Sequence, residues 1–142
     1  MEKIHSLTGM MDLISSKADK EDLSNRVFLT EKLLKNIFEN FSISEIRTPA
    51  LEDTNLFKRS VGDTSDIVNK ELYSFLDKNE KSITLRPEGT ASVIRSLIEK
   101  KIDGDAHKLW YLGPMWRYER PQKGRYRQFN QAGVEMLGYE EG

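Results

Sequence analysis

The stretch MWRYERPQKGRYRQFNQAGVEML, residues 115–137, decides how this chain folds. It begins and ends in apolar residues that alternate with polar ones, and the polar loop PQKGRY (121–126) divides it. Side chains along a strand point to opposite faces with a period of two, so the spacing predicts strands over 115–120 and 127–137 joined as a hairpin. In the first strand Arg117 and Glu119 share a face, with Trp116 and Tyr118 on the other. In the second, Phe129, Gln131, Gly133, Glu135 and Leu137 alternate with Asn130, Ala132, Val134 and Met136. The odd face is read as a site and the even, more apolar face as core. Gly133 supports this, because a mid-strand glycine weakens a strand and often marks close approach of a ligand or another backbone.

Charge singles out the same stretch. Arg117, Arg120, Lys123, Arg125 and Arg127 face one anion, Glu119, a local +4 on a chain of net charge −1. Such an island on an otherwise acidic chain suits a polyanion. Arginine fits a phosphate because its planar fork matches two oxygens. Phe129 could stack an adenine ring, and Gln131, Glu135 and Glu88 could hold an ammonium group. On the alternation alone the competing reading, a solvent-facing sheet surface, is the better one; Gly133 favours the site.

Outward from the hairpin, apolar residues at three- and four-residue spacing (Leu23, Val27, Leu34, Ile37, Phe38, Phe41) predict an amphipathic helix over 23–41. Residues 43–47 read as a short strand stopped by Pro49. A short helix over 54–60 has Asp53 or Thr54 as its cap and Gly62 near its end. Strands at 72–76 and 82–86 flank the polar loop DKNEK, and Pro87 ends the second. There Thr84, Arg86 and Glu88 share a face opposite Ile83 and Leu85. A helix over 90–101 carries Ala91, Ile94, Leu97 and Ile98, with Thr90 as N-cap and Glu88 favouring the helix dipole. A strand follows at 108–112, with Gly113 and Pro114 breaking it from the next. The arm before residue 21 reads as extended, with a turn at Gly9 and another in SSKADKED. Strands in hairpins interrupted by helices give an α+β fold around an antiparallel sheet with flanking helices.

At 142 residues the chain suits one domain with its own core. A 37% hydrophobic fraction at near-zero net charge excludes wholesale disorder. No apolar run approaches the ~20 residues of a membrane span, and the N-terminus lacks the basic-then-apolar order of a secretory signal. The absence of cysteine excludes disulfides, thiolate zinc sites and a cysteine nucleophile. With only His5 and His107, both read as structural or surface residues, no metal site is expected. Trp110, Trp116 and Tyr118 are read as core, and Lys123 and Arg127 as general electrostatic contacts.

The string RYERPQKGRYRQFNQAGVE, residues 117–135, resembles the second signature motif of the class II aminoacyl-tRNA synthetases, and more narrowly that of the histidyl-tRNA synthetases. EIRTPALE (45–52) is similar to the family's first motif, LRPEGTA (85–91) to its histidine-holding loop, and VGDTSDIVNKELYSF (61–75) to a further family segment. The resemblance runs over roughly residues 8–142 and implies the class II catalytic fold. It also implies the chemistry: histidine attacks the α-phosphate of ATP, giving histidyl-adenylate and pyrophosphate, and the aminoacyl group passes to tRNA-His. On this resemblance Arg117 grips the α-phosphate and is the catalytic residue. Glu119, Arg125 and Phe129 bind ATP with it, and Mg²⁺ arrives with the nucleotide. Glu88, Gly89, Thr90, Arg117, Gln131 and Glu135 surround histidine, Arg120 and Gln122 approach the tRNA acceptor end, and Pro49 lies at a homodimer interface in a cytoplasmic enzyme. Asn130 stands where the family usually has histidine, and Phe41–Ser44 replaces an aromatic–glycine–aromatic turn. The family's third motif and anticodon-binding domain have no counterpart here. Residues 1–142 therefore resemble the N-terminal portion of the catalytic domain, incomplete at the C-terminus, with apolar surface uncovered and weak or no activity alone. An alternative within the same fold is the non-catalytic regulatory subunit of ATP phosphoribosyltransferase. The intact charged string at 117–128 argues against it. A synthetase-like domain in a regulator that senses uncharged tRNA is a third reading.

Overall fold

The computed structural model describes residues 2–16, 23–62, 64–120 and 122–139. The expected turn in SSKADKED lies, from Lys17 on, outside them, as does Pro121 of the basic loop. The elements run α1 (Leu23–Asn40), β1 (Ser44–Glu45), β2 (Leu51–Asp53), α2 (Thr54–Val61), one π-helical turn (Ile67–Glu71), β3 (Ser74–Leu76), β4 (Ser82–Leu85), α3 (Thr90–Glu99), β5 (His107–Trp116) and β6 (Gln128–Leu137). The α+β class holds. Among the described residues the strands form two three-stranded sheets, β1-β5-β6 and β2-β4-β3. All pairings are antiparallel except β1 with β5, which is parallel and was not foreseen. No helix among the described residues is long and apolar enough to cross a membrane.

The expected break at Gly113 and Pro114 does not occur. β5 is one ten-residue strand, paired with β6 from His107↔Leu137 to Trp116↔Gln128. The reason lies in which way Pro114 would point its missing N–H. Residue Trp110 gives its carbonyl to Ile46 N–H at 2.9 Å, so even-numbered residues of β5 aim their backbone groups away from β6. Pro114 belongs to that set, and β1 pairs only as far as Leu109 and Trp110. A proline there removes no rung of the ladder.

The second sheet is centred on β4. A chain of hydroxyls crosses it: Thr84 Oγ1 lies 2.8 Å from Thr54 Oγ1 and 2.7 Å from Ser74 Oγ, and Thr54 reaches Ser82 at 2.7 Å. Asp53 is the N-cap of α2, accepting Asn55 N–H at 2.9 Å. That bond, and then Lys81, hold its carboxyl below the usual range. Gly62 ends the helix at φ +91°, as the sequence predicts.

Arg86 fastens the sheets together. Its backbone N–H goes to Ala50 and its carbonyl receives Trp116 N–H. Its guanidinium donates from Nη1 to Thr48 O (2.7 Å) and Oγ1 (3.0 Å), and from Nε to Pro114 O (3.0 Å). A second tie is an ion pair between buried Glu52 on β2 and Arg95 on α3, closest at 2.9 Å. The core of the first sheet is Val93, Tyr111 and Met115, with Ile46, Leu109 and Phe129 packed against it. Helix α1 meets the other face through Phe38 and buried Trp110, whose rings are 5.3 Å apart. Several of its apolar side chains stay exposed, including Leu29, Leu33 and Ile37.

Candidate active site

The register of the hairpin brings the odd-numbered residues of both strands to one face: Met115 opposite Phe129, Gly113 opposite Gln131, Tyr111 opposite Gly133 and Leu109 opposite Glu135. Arg117 extends the ladder one step beyond β5, giving its N–H to Arg127 O at 2.9 Å. The loop after β4 closes over this face. Gly89 N–H donates to Gln131 Oε1 at 2.9 Å, and Thr90 Oγ1 donates to Glu135 Oε1 at 2.6 Å. Arg117 Nε donates to Pro87 O at 2.9 Å, with its guanidinium 5.2 Å from the centre of the Phe129 ring. Glu88, Gly89, Thr90, Arg117, Phe129, Gln131 and Glu135 therefore form one constellation; the strand period predicts the shared side of Arg117, Phe129, Gln131 and Glu135, while Gly89 and Thr90 were expected from the resemblance alone.

Thr90 is not the cap of α3. It is the first helical residue, and the Glu88 carboxylate receives the N–H groups of Thr90 (2.7 Å) and Ala91 (2.9 Å). With its end capped by Glu88, the helix leaves the Thr90 hydroxyl free to meet Glu135.

The floor of the constellation is Tyr111, which the sequence reading passed over. Its ring is wedged between Gly89 and Gly133. A Cβ on either glycine would fall inside the ring's van der Waals envelope. Gly133 thus marks close approach of a side chain, not of a ligand or a backbone. Burial pushes the Tyr111 phenol up from its ordinary range, a hydrogen bond with Thr90 opposes this, and the nearby Glu135 and Glu88 charges add to it. The clue available in the sequence was the pair of glycines itself, which need a bulky neighbour.

The charges of this face are unevenly matched. Among the described residues no carboxylate pairs with Arg117, and no lysine or arginine pairs with Glu88 or Glu135. Charged groups that are half-buried and lack a counter-ion favour a ligand of opposite sign. The arrangement presents a cation at the Arg117 end and two carboxylates at the α3 end. A small zwitterion matches that polarity, with its carboxylate towards Arg117 and its ammonium towards Glu88 and Glu135.

A family model described as histidyl-tRNA synthetase matches residues 18–141. The chain belongs to the histidyl-tRNA synthetase family. It is 59% identical over 110 residues to a histidine–tRNA ligase of Geobacter sulfurreducens, covering 76% of this chain and 27% of that one. The crystal structure of apo S. aureus histidyl-tRNA synthetase superposes with a TM-score of 0.72 at 40% identity, over 99% of this chain and 30% of that one. A Bacillus halodurans structure titled as an ATP phosphoribosyltransferase regulatory subunit/histidyl-tRNA synthetase also gives a TM-score of 0.72. At 24% identity, over 99% of this chain and 35% of that one, it shows the fold alone. The chain spans 26 to 32% of the length of such curated relatives.

In this histidyl-tRNA synthetase hairpin the remaining expected residues are placed as follows. The Glu119 carboxylate is 3.8 Å from Arg125 Nε, and its carbonyl receives Arg127 Nε at 3.0 Å. Arg120 is exposed, and Gln122 and Arg125 close a tight exposed turn through Arg125 N–H to Gln122 O at 2.9 Å. Pro49 is exposed and lines the groove between β2, α2 and α3, which Glu88 and Thr90 line as well. Asn130 faces the opposite side, as alternation requires, and donates to Glu31 of α1 at 2.7 Å. Two readings need correction. Tyr118 is 52% exposed rather than core, with the Arg127 guanidinium 3.9 Å from its ring centre. Arg127 is accordingly a packed junction residue, not a general electrostatic contact. Trp116 is half-buried and donates from Nε1 to Gln128. His107 is structural, with Nε2 2.6 Å from Ile102 O.

Proposed function

We propose that these residues are the N-terminal portion of the catalytic domain of a histidine–tRNA ligase. They would carry the adenylation half-site. The supporting observation is the charge without a paired side-chain counter-ion on the site face, positive at Arg117 and negative at Glu88 and Glu135. In this reading histidine lies between them. Its ammonium meets Glu88, Glu135, Thr90 and Gln131, and its carboxylate is held towards Arg117. A carboxylate oxygen attacks the α-phosphorus of ATP and pyrophosphate leaves. Arg117 is the catalytic residue, since its guanidinium offsets the negative charge that builds as phosphorus becomes five-coordinate. Pro87 O fixes that guanidinium beforehand, so little reorganisation is needed at the moment of reaction.

Phe129, under the same guanidinium, would stack the adenine. Glu119 would accept from the base's amino group, and Arg125 would reach the outer phosphates. Mg²⁺ would enter with those phosphates as part of the substrate. The adenylate would then pass its acyl group to the terminal ribose of tRNA-His. Arg120 would position the acceptor end by phosphate contact, and Gln122 would read a base edge. A homodimer that includes Pro49, in the cytoplasm, completes the reading.

The test is histidine-dependent ATP–pyrophosphate exchange on the chain, with proline and threonine as decoys. Exchange specific to histidine is expected, weak from these residues alone and stronger when they are extended by the sequence flanking them in their gene, and falling about 10²–10³-fold in Arg117→Ala of the active form, the loss typical when one preorganised donor to a developing charge is removed. If this chain is silent, and also silent when extended by the sequence flanking it in its gene, the ligase reading falls. The regulatory-subunit reading would then take its place.

A further inference from the structure

One motif of the sequence has no part in the chemistry above: LTGM, residues 7–10, in the N-terminal arm. It makes a turn, closed by Met10 N–H to Leu7 O at 3.1 Å, with Gly9 at φ +75°. The turn rests on the mouth of the basic loop. Gly9 O accepts two backbone N–H groups, those of Arg127 (2.7 Å) and Gln128 (3.2 Å).

Arg127 is the first residue after the loop and the node where the loop closes. Its carbonyl receives Arg117 N–H, its Nε donates to Glu119 O, and its guanidinium covers Tyr118. The backbone ends of the loop, Arg117 and Arg127, are thus locked to one another. Gly9 O engages the N–H of Arg127, the donor of that residue which the rung to Arg117 leaves unused. Position 9 also admits only glycine. A side chain is rarely tolerated at φ +75°. A Cβ there would come within 2.8 Å of Arg127 Cγ and 3.0 Å of Arg127 N. A second bond, Ile14 N–H to Ser24 Oγ at 3.2 Å, holds the arm further along.

We propose that the N-terminal arm is a strap whose Gly9 carbonyl positions the nucleotide-binding loop, acting through Arg127 on Arg117 and Glu119. This rests on the reading that the loop binds ATP. Gly9 is a positioning residue: it touches no reacting atom, but it fixes the Arg127 backbone to which Arg117 N–H is bound, and Arg117 in turn reaches Pro87 O through Nε. Displacement of a positioning group by about 1 Å can cost as much as 10²-fold in the step it serves.

The experiment compares the unaltered chain, Gly9→Ala, and a chain beginning at Met10. Amide hydrogen exchange is followed at Arg117, Arg127 and Gln128. Affinity for Mg²⁺–ATP is followed by Trp116 fluorescence, and affinity for histidine by calorimetry. We expect both altered chains to exchange these amides about tenfold faster or more, while those of β3 and β4 hold. ATP affinity should fall about ten- to a hundredfold, and histidine affinity by less, since of its contacts only Arg117 is tied to the strap while Glu88, Thr90, Gln131 and Glu135 are held by one another and by α3. Unchanged exchange in both altered chains overturns the strap. Faster exchange with unaltered ATP affinity overturns its positioning role. If the unaltered chain binds no ATP, the nucleotide reading of the loop fails, and the strap's hold on the loop is then decided by the exchange rates alone.

Discussion

The two faces of the β5–β6 hairpin are built from the same strands yet differ in how completely they are covered. On the odd face Met115 is 1% exposed and Tyr111 fills the space between two glycines, with α3 closing over both. On the even face Trp110 is buried against α1, but Val134 is 39% and Met136 60% exposed. The reading from alternation sorted the residues correctly into two sets and assigned the core to the wrong one. The site face is also the main core face. Its polar groups stand on a packed floor, and the apolar even residues of β6 are largely open. Periodicity reports which residues share a side; the number of apolar residues on that side does not report what covers it.

The sharpest way to break this contrast is one substitution made on each face. Met115→Ala should cost about 2–5 kcal/mol in denaturant unfolding, the range for emptying a close-packed core position. Met136→Ala should cost no more than about 0.5 kcal/mol. Equal losses would mean that the even face is as well buried as the odd one. Next in size is Gly133→Ala, expected to cost about 1–3 kcal/mol as its Cβ meets the Tyr111 ring. Ala132→Gly, on the open face beside it, should cost under about 1 kcal/mol, the scale of strand propensity. Non-additivity between Gly133→Ala and Tyr111→Val, with the second relieving the first, would sharpen the assignment to that ring.

The smallest effect concerns pH. The Tyr111 phenol titrates above its unfolded value of about 10, because burial disfavours its anion. Its neutral form therefore contributes stability that is fully present below pH about 10. That contribution is lost as pH rises from there through the folded value. Tyr111→Phe should flatten that alkaline loss in a pH series of unfolding curves. An unchanged alkaline limb would show that the phenol already meets solvent.

Much of the candidate site was legible because the relevant signals are local. The period of two places Arg117 with Phe129, Gln131 and Glu135, and Glu88 is read beside the positive end of α3, though the cap is Glu88 itself and not Thr90 as expected. The missed features depend on distant partners. The parallel pairing of β1 with β5 joins segments more than sixty residues apart. Whether Pro114 interrupts a strand depends on where β1 stops. Tyr111 looks like any strand tyrosine until Gly89 and Gly133 are set against it. The Gly9 turn was visible, but nothing near it in sequence names Arg127 as its partner.

Pro114 has one more consequence, for how this sheet could grow. Past Trp110, the outward side of β5 offers a passing chain little to pair with. Pro114 has no N–H, its carbonyl is taken by Arg86, and Trp116 gives its N–H to Arg86 as well. The outer side of β6 is closed only at its start, where Gln128 N–H goes to Gly9 O, and no strand lies beyond it among the described residues. Over any useful length the sheet can be widened only from the β6 side, so a single proline and a single arginine give the hairpin a direction of growth.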